Sequence, residues 1–307
     1  MHHLKMPRLR PVFAVPMEYN DESHCYPVAA ILKDRSMTAF KPLSVPLFVP
    51  GHRPELLSKA GSSGADAVIL DLEDAVADAD KPAAHAALMS RPDLSVPLVV
   101  RCNGFESSWF VKDLAALAKN PPQMIMLPKA ESVDHLDVIA KAFGADMPII
   151  PIVESALGLA TIEAMMMHPS VLQCAFGHLD FALDIGADPQ WESLHYARGK
   201  IVVASRLGQK AAPLDGVAVR FDDAEIVAGE ARRARDMGFG GKLLIHPKQI
   251  APAKAVFRPS EADYEWALRV MAAVANSASA VQLDGAMVDV PVIKRAEAII
   301  RDFEALA

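Results

Sequence analysis

Eight short apolar runs recur along this chain between residues 46 and 246, and helical patterns lie between them. The runs are 46–50 (PLFVP), 67–72 (AVILDL), 97–101 (PLVVR), 123–127 (QMIML), 148–153 (PIIPIV), 172–176 (LQCAF), 216–219 (GVAV) and 243–246 (LLIH). Such near-continuous apolarity is typical of strands buried on both faces, as in a parallel sheet. The intervening segments are rich in Ala, Leu, Glu and Arg, and include 131–143, 156–167, 192–207 and 223–237.

Strands that alternate with helices predict right-handed βαβ units. Eight such units favour a closed barrel over an open doubly wound sheet. We therefore predict an α/β fold, a (β/α)8 TIM barrel spanning residues 46–257, with a helical extension after it. A chain of 307 residues that is 52% hydrophobic has ample material for this fold.

Two segments flank the predicted barrel. Residues 1–45 contain five prolines that interrupt any long element, and we interpret them as an irregular N-terminal arm. Residues 258–307 are predicted to form a C-terminal helical lid, with helices at about 260–278 and 291–306 joined by "ASAVQLDGAMVDVP". A segment that follows a completed barrel packs either on its own barrel or over the mouth of a neighbouring subunit.

Charge and cysteine content exclude several classes of protein. The net charge of -7 comes without a basic block, so nucleic acid is not expected as a partner. Cys25, Cys102 and Cys174 are far apart and odd in number, which fits neither a zinc site nor a disulfide framework. No signal-peptide pattern and no apolar run of about 18 residues is present, so we expect no membrane association and a cytoplasmic location.

Polar residues follow the predicted strands at one end. They are Asp71, Glu73 and Asp74 after strand two, Arg101 at strand three, Lys129 and Glu131 after strand four, Glu154 after strand five, Asp180 after strand six, and His246 at strand eight. The carboxyl ends of barrel strands form one rim, and that rim is where barrel enzymes place their chemistry. The accumulation predicts an active site there.

Each of these residues also has a structural interpretation. Glu154 and Asp180 can each cap a helix, because acids favour helix N-termini. As a pair on adjacent strands they fit a Mg²⁺ site better. Arg101 suits either an ion pair with the "DLED" acids or a substrate carboxylate. Lys129 suits either a Schiff base or, preferably, an ion pair with nearby acids. His246 is interpreted as a hydrogen-bonded structural histidine.

Eight segments between about residue 45 and the C-terminus resemble those of a known family, and they occur in the same order as in that family. They are "LFVPGHRPE", "GADAVILDLEDAVADADKPAA", "VRCNG", "MLPKAES", "PIVESALGL", "FGHLDFALDIG", "GFGGKLLIHPKQI" and "DGAMVDVP". They resemble the citrate lyase β-subunit-like family, within the HpcH/HpaI aldolase/citrate lyase superfamily. That family includes malyl-CoA and citramalyl-CoA lyases.

The resemblance implies a Mg²⁺-dependent barrel that cleaves a carbon–carbon bond beside a CoA thioester and releases a small 2-oxo acid. It implies that Glu154 and Asp180 bind the metal, with Glu154 also contacting substrate, and that Arg101 holds the oxo-acid portion. It implies that Asp289 is a catalytic acid on a lid that can reach a neighbouring subunit, so a homo-oligomer is expected, with a trimer favoured. Glu73, Asp74 and Lys129 are expected to orient the metal ligands through hydrogen bonds and ion pairs without binding the metal themselves.

One residue departs from the family pattern. Members often carry an acid immediately before the second metal ligand, where this chain has Leu179. Four functions stay open at this point. They are a stand-alone citramalyl-CoA or malyl-CoA lyase, a citrate lyase β subunit acting on a carrier-bound citryl thioester, a lysine-dependent aldolase, and a non-catalytic binding or regulatory barrel.

Overall fold

The computed structural model describes residues 41–275 and 281–304. Most of the predicted N-terminal arm, including Cys25, lies outside the described residues. The eight strands are β1 Leu47–Pro50, β2 Val68–Asp71, β3 Leu98–Arg101, β4 Met124–Leu127, β5 Ile149–Val153, β6 Ala175–Phe176, β7 Leu214–Asp215 and β8 Gly241–Lys242. Each pairs in parallel with the next along the chain.

The two ends of this sheet meet through backbone contacts. Leu47 and Leu244 form a parallel bridge, and the amides of Phe48 and Leu244 donate hydrogen bonds across it at 2.8 and 3.0 Å. The prediction of a TIM-barrel-like α/β fold is thereby confirmed, because eight parallel strands in sequential order curl round to join the first.

Helices follow the strands as predicted. They are α1 Leu57–Gly61, α2 Lys81–Met89, α3 Phe110–Lys119, α4 Val133–Phe143, α5 Ala156–Met166, α6 His178–Asp184, α7 His195–Leu207, α8 Ala224–Met237 and α9 Ile250–Phe257. Side chains at Ser132, Ser155 and Asp223 cap the N-termini of α4, α5 and α8. Gly238, with a φ of 103°, ends α8 in the left-handed conformation that an L side chain rarely adopts.

The predicted positions of the last two strands were wrong. The seventh strand was expected at 216–219 and the eighth at 243–246, but each lies two residues earlier. The reason is that β7 ends in Asp215 and β8 in Lys242, so charged residues occupy the paired positions. The apolar runs that the sequence displays begin only where the pairing stops.

Alternate strand residues fill the barrel interior. Ile69, Val99, Ile152 and Ala175 belong to one buried interior cluster, while residues such as Val68 and Val153 pack outward under the helices. Because strand side chains alternate, the same parity carries Asp71, Arg101 and Glu154 inward at the carboxyl ends. The barrel geometry therefore directs these three side chains toward one point.

Residues 41–45 close the opposite end of the barrel. The side chain of Gln173 accepts a hydrogen bond from the Leu43 amide at 3.1 Å and donates one to the Leu43 carbonyl at 3.0 Å. Asp66 accepts hydrogen bonds from the amides of Ser44 and Val45. These hydrogen bonds hold residues 41–45 of the predicted arm at the amino-terminal ends of the strands, away from the polar carboxyl ends.

The C-terminal segment forms a small unit of its own. It contains α10 Glu261–Ala275, β9 Val281–Leu283, β10 Ala286–Val288 and α11 Val290–Glu304, with a core around Ala267, Val270 and Ala296. Residues 281–288, which lie between the two helices, form a β-hairpin, and Asp284 and Gly285 at its turn both have positive φ, as a type I′ turn requires. In the described part of the chain no helix combines the length and apolarity that crossing a membrane would need.

A buried ion cluster joins β7, β8 and α7. Asp215 accepts hydrogen bonds from Arg198 Nε at 2.9 Å and from Lys242 Nζ at 3.1 Å, and all three side chains are at most 3% exposed. Burial alone raises the pKa of Asp215, but Lys242 and Arg198 outweigh it and the pKa is lowered. The carboxylate is therefore charged and holds two buried cations.

We expect Asp215→Ala to destabilise the fold by about 3–5 kcal/mol, because Arg198 and Lys242 lose their shared counter-ion inside the protein. Urea unfolding measures the change. Asp222→Ala removes the acid of an exposed pair with Arg220 and serves as the control, with an expected effect below about 1 kcal/mol. Equal losses of stability in Asp215→Ala and Asp222→Ala would contradict the role of Asp215 as the buried counter-ion.

Candidate active site

A cavity of about 400 Å³ opens at the carboxyl ends of the strands. Its polar wall contains Asp71, Asp74, Arg101, Glu154, His178 and Asp180. Its apolar wall contains Phe48, Pro50, Ala75, Ile152, Phe176, Leu179, Val217, Leu243 and Ile245, and Gly177 and Gly216 complete the lining. The structure thus brings Arg101, Glu154 and Asp180 to one cavity, although they are distant in sequence.

Glu154 follows β5 directly and is 5% exposed. It does not cap the helix that follows, because Ser155 is the N-cap of α5 and Asp184 accepts a hydrogen bond from the Ala156 amide at 2.7 Å. The Glu154 carboxylate instead accepts a hydrogen bond from the Lys129 amide at 2.7 Å. The capping interpretation is therefore wrong for Glu154, whose carboxylate faces the cavity.

Gly177 is required beside this carboxylate. A Cβ atom placed on Gly177 would lie 2.4 Å from both Cγ and Oε1 of Glu154, so a larger residue would displace the acid. Gly177 also precedes α6, on which Asp180 lies. Asp180 was expected at a strand end, but it stands in the first turn of this short helix, which returns it to the cavity wall.

The charge state of Glu154 depends on what occupies the cavity. Burial raises its pKa to about 8, with a further contribution from the nearby acid Glu73, while Arg101 and Lys129 oppose the shift. A carboxyl group with such a pKa binds a proton at neutral pH unless a cation replaces it. Burial also raises the pKa of Glu73, and the nearby charges of Arg101 and Lys129 oppose this shift.

These observations fit a hard divalent cation. Glu154 and Asp180 provide carboxylate oxygens, and Gly177 leaves the space that the Glu154 carboxylate occupies. Within residues 41–275 and 281–304, no three His, Cys, Asp or Glu side chains form a complete set of metal ligands. Mg²⁺ is commonly held by one or two carboxylates, with water and substrate oxygens completing its six positions.

Arg101 is held in place by acids. Its Nε and Nη2 atoms donate to the two Asp71 oxygens at 2.7 Å each, a bidentate pair that the strand register sets by placing Asp71 opposite Arg101. Nη1 lies 3.0 Å from Glu73 and 3.4 Å from Asp74. The ion-pair interpretation is confirmed by these contacts, and the guanidinium still lines the cavity as a fixed positive charge.

Lys129 connects the two buried acids. Its amide donates to Glu154, while its Nζ donates to Glu73 at 2.6 Å. A φ of 48°, unusual for a side-chain-bearing residue, allows both contacts. Burial lowers the pKa of Lys129, but the bond to Glu73 outweighs this and raises it. A protonated amine is not a nucleophile, which disfavours the Schiff-base interpretation.

A polar network that was not predicted lies beneath the acidic loop, residues 71–74. Lys81 is 5% exposed and donates to the carbonyls of Leu72 and Glu73, at 2.8 and 3.2 Å, and to Asn103 at 2.7 Å. Asn103 in turn donates to the fully buried Asp113. This network fixes the backbone that carries the acids facing Arg101 and Lys129.

His178 was also missed, although it stands two residues before Asp180. It is 9% exposed, and burial lowers its pKa to about 4, with Lys242 and Arg198 acting in the same direction and Asp215 against it. The ring is therefore neutral at neutral pH. Its position in "FGHLD", two residues before the predicted metal ligand Asp180, was the signal that could have identified it.

Asp289 does not line the cavity of its own chain. It is exposed, and its side chain accepts a hydrogen bond from the Val292 amide at the start of α11. Leu179, which replaces the acid of the family pattern, lines the cavity and is 40% exposed. His246 caps the turn Pro247–Gln249 and stacks on Phe221, which confirms its interpretation as a structural histidine.

Residues 44–247 match the family described as HpcH/HpaI aldolase/citrate lyase. The chain belongs to this family. A citrate lyase subunit beta-like protein of Mycobacterium tuberculosis is 36% identical over 263 residues, covering 83% of this chain and 93% of the relative. A (3S)-malyl-CoA thioesterase of Cereibacter sphaeroides is 35% identical over 235 residues, covering 74% and 81%. The family resemblance stated from the motifs is confirmed.

Solved structures agree with this membership. The protein CitE from Mycobacterium tuberculosis, crystallised with magnesium, acetoacetate and coenzyme A, has a TM-score of 0.78 and 33% identity, covering 86% of this chain and all of that one. The citrate lyase beta subunit of the same organism, with oxaloacetate and magnesium, has a TM-score of 0.64 and 32% identity, covering 71% and 98%. Magnesium is thus found in structures of relatives.

The raised pKa of Glu154 predicts how metal-free protein responds to pH. A folded pKa near 8 against an ordinary value of 4.5 means that the folded state keeps a proton that the unfolded state releases. Stability from this group is present below pH 4.5 and is lost as pH rises toward 8. In chelator, raising the pH from 5.5 to 8 should lower the free energy of unfolding more for wild type than for Glu154→Gln. We expect the difference to be about 1 kcal/mol or more.

Thermal or urea unfolding at the two pH values measures this difference, and Glu163→Gln, on the exposed side of α5, is the matched control. Adding Mg²⁺ at pH 8 should restore stability to wild type and not to Glu154→Gln, because a ligand of the folded state stabilises it. Parallel pH profiles of wild type and Glu154→Gln would show that the carboxyl group is not perturbed.

Proposed function

We propose that this chain is a Mg²⁺-dependent carbon–carbon lyase. Its substrate is a 3-hydroxyacyl-CoA thioester of the citramalyl-CoA or malyl-CoA type, and its products are a 2-oxo acid (pyruvate or glyoxylate) and acetyl-CoA. The observation that carries the proposal is the single cavity lined by Arg101, Glu154 and Asp180. The family membership and the relative crystallised with magnesium, acetoacetate and coenzyme A support it.

Glu154 and Asp180 would hold the metal. When bound, Mg²⁺ supplies Lewis-acid stabilisation to the oxygen that becomes the carbonyl of the 2-oxo acid. Arg101 offers a charge that Asp71 fixes in position, and it binds the substrate carboxylate at the inner end of the cavity. The Lys129 amide holds the Glu154 carboxylate in place, and Glu73 in turn binds the Lys129 side chain. Substrate is thereby oriented with its 2-oxo-acid portion toward β3 and β5.

The remaining wall favours an apolar substituent. Val217, Leu243 and Ile245 line the side of the cavity formed by β7 and β8, and among the described residues that line it Arg101 is the one cationic side chain. A hydrogen or methyl group at the 3-position fits this wall. A second carboxylate, as in a citryl thioester, would face apolar side chains without a partner, at a cost of about 1–3 kcal/mol.

Asp289 is the proposed acid that protonates the acyl-CoA enolate at carbon. It is exposed at the start of α11 and absent from the cavity of its own chain, and we infer that it reaches the site of a neighbouring subunit. Met287 and Val290 beside it are 67% and 61% exposed, and Leu183, on the same helix α6 as Asp180, is 80% exposed. Exposed apolar side chains are typical of surfaces that bind another subunit, and we propose a homo-oligomer, with a trimer proposed from the family resemblance.

Hydrolysis of the thioester is a second candidate reaction, because the Cereibacter sphaeroides relative carries the name (3S)-malyl-CoA thioesterase. The citrate lyase subunit beta of Leuconostoc mesenteroides, 32% identical over 276 residues, represents the carrier-dependent alternative. The products separate the three functions. A lyase releases a 2-oxo acid and acetyl-CoA, a thioesterase releases a hydroxy acid and free CoA, and a β subunit requires a carrier-bound substrate.

Purified protein with Mg²⁺ should release a 2-oxo acid from citramalyl-CoA or malyl-CoA at least about 10-fold faster than from citryl-CoA. Glu154→Ala and Asp180→Ala should each lower kcat/KM by about 100-fold or more, and chelator should abolish turnover. Glu163→Gln should retain wild-type activity. Turnover and metal binding that survive Glu154→Ala would contradict the site, and release of hydroxy acid alone would favour the thioesterase.

A mixing experiment tests the origin of Asp289. Glu154→Gln and Asp289→Asn subunits should each be inactive alone. If the acid comes from a neighbouring chain, co-expressed mixed oligomers regain about one quarter of wild-type activity, because half of the sites have each intact residue. A lid that serves its own chain gives no recovery, since every chain then carries one defect. Full activity of Asp289→Asn alone would remove this residue from the mechanism.

A further inference from the structure

His178 is a buried polar side chain that the proposed mechanism leaves without a role. It is the first residue of α6, it is 9% exposed, and it lines the cavity together with Glu154 and Asp180. Among the described residues no group forms a hydrogen bond with its ring, whose aromatic contact is with Phe176. An imidazole carries at least one N–H donor in every protonation state, so a donor stands unused in a buried site.

The nitrogens of this ring are open to the cavity. The buried side-chain atoms without a partner, within the described residues, include His52 Nδ1 and Arg198 Nη1. Neither nitrogen of His178 is among them, although neither has a hydrogen bond. Both therefore reach accessible space, and the residue lines no cavity other than that of Glu154 and Asp180 among the two large cavities described.

The ring is also fixed in position. A Cβ atom on Gly216 would lie 2.1 Å from His178 Nδ1 and 3.0 Å from its Cε1, so the backbone after β7 stands directly against this edge. Phe176 also lies near the ring, with ring centroids 6.3 Å apart. The edge that carries Nδ1 is thus backed by Gly216, and Nε2 has the freer approach. A donor held in this way needs little reorganisation to bind a developing charge.

The order of the strands indicates that His178 lies nearest to the thioester end of the substrate. Around the rim, Arg101 ends β3, Glu154 follows β5, His178 follows β6 and Gly216 follows β7. With the substrate carboxylate at Arg101 and the hydroxyl-bearing carbon between the two acids, the thioester extends toward β6 and β7. Among the described residues lining that side, His178 is the one whose side chain carries an N–H.

We propose that His178 donates a hydrogen bond to the thioester carbonyl oxygen and stabilises the enolate formed on cleavage. This inference rests on the proposed function. When the bond between the thioester α-carbon and the hydroxyl-bearing carbon breaks, the 3-hydroxyl gives its proton to solvent water and its oxygen becomes the keto oxygen of the 2-oxo acid. The electron pair of the broken bond enters the thioester α-carbon and carbonyl oxygen, and the proton that Asp289 then adds at that carbon gives acetyl-CoA, so one proton leaves and one is returned. His178 keeps its own proton throughout, and nothing is oxidised or reduced.

Two variants of similar size separate hydrogen bonding from packing. His178→Gln keeps an N–H close to the position of Nε2, whereas His178→Met has none. We expect His178→Met to lower kcat by about 100-fold and His178→Gln to recover most of that loss. His195→Gln, on the exposed face of α7, is the matched control and should behave as wild type. His178→Leu serves as the second apolar variant if thermal unfolding shows that His178→Met is destabilised.

Exchange of the acetyl-CoA methyl hydrogens with D2O, measured with Mg²⁺ and a 2-oxo acid present, provides a readout that a structural role would not change. The exchange breaks a C–H bond of the methyl group to form the enolate and requires no carbon–carbon bond cleavage. We expect it to fall in His178→Met in parallel with kcat, while Mg²⁺-dependent binding of pyruvate, measured by calorimetry, stays at its wild-type value. Loss of pyruvate binding equal to the loss of turnover would overturn the proposal, because His178 would then act through the metal ligands.

Wild-type turnover and exchange in His178→Met would overturn the assignment of His178 and leave the proposed function standing. Failure of the wild-type protein to cleave any of the three thioesters, or to exchange acetyl-CoA hydrogens, would instead overturn both. The two failures are therefore distinguishable in one series of measurements.

Discussion

Two buried acids, Glu154 and Glu73, lie close enough for each charge to disfavour the other, and much of the rim is organised around them. Lys129 contacts both, with its amide on Glu154 and its Nζ on Glu73. Arg101 lies 3.0 Å from Glu73 and also forms a bidentate ion pair with Asp71. These cations offset part of the negative charge, and burial leaves Glu154 with a pKa near 8. A bound divalent cation would neutralise the negative charge of the acids that Lys129 and Arg101 leave uncompensated.

The barrel delivers this arrangement through strand parity. Interior positions along β2, β3 and β5 are apolar until the last inward position, which is Asp71, Arg101 or Glu154. Glycine is needed where neighbouring backbone passes close to the site, at Gly177 beside Glu154 and at Gly216 beside His178. Packing in the barrel and chemistry at its rim are therefore parts of one pattern, in which a core position is exchanged for a functional one at the carboxyl end of a strand.

The parts of the fold that the sequence predicts well are those where apolar runs and pairing coincide. β1 to β5 lie within the expected runs, and Glu154 and Arg101 were identified because they end such runs. β7 and β8 were displaced by two residues because Asp215 and Lys242 lie within the paired positions and satisfy one another. Hydrophobic periodicity cannot detect a charge whose partner belongs to a distant strand.

Contacts that depend on backbone conformation were equally inaccessible. Nothing in the local sequence indicates that Lys129 adopts a φ of 48° and so links two acids, or that Lys81 turns inward to bind the carbonyls of the acidic loop. Capping was ambiguous for a related reason. Glu154 and Ser155 both suit a helix N-terminus, and only the geometry assigns the cap to Ser155. Asp289 stays a prediction, since its role requires a second chain.

Leu179 has a physical consequence for the proposed metal site at Glu154 and Asp180. Where relatives often place an acid beside the second ligand, this chain places an apolar side chain on the cavity wall, next to Asp180. The site thereby has one negative charge fewer near the cation, so the free protein attracts Mg²⁺ less strongly than a site with that acid would. The carboxylate and adjacent oxygen of a bound 2-oxo acid can supply the missing charge. Metal and oxo acid are then each bound more tightly in the presence of the other, because binding free energies are reciprocally coupled.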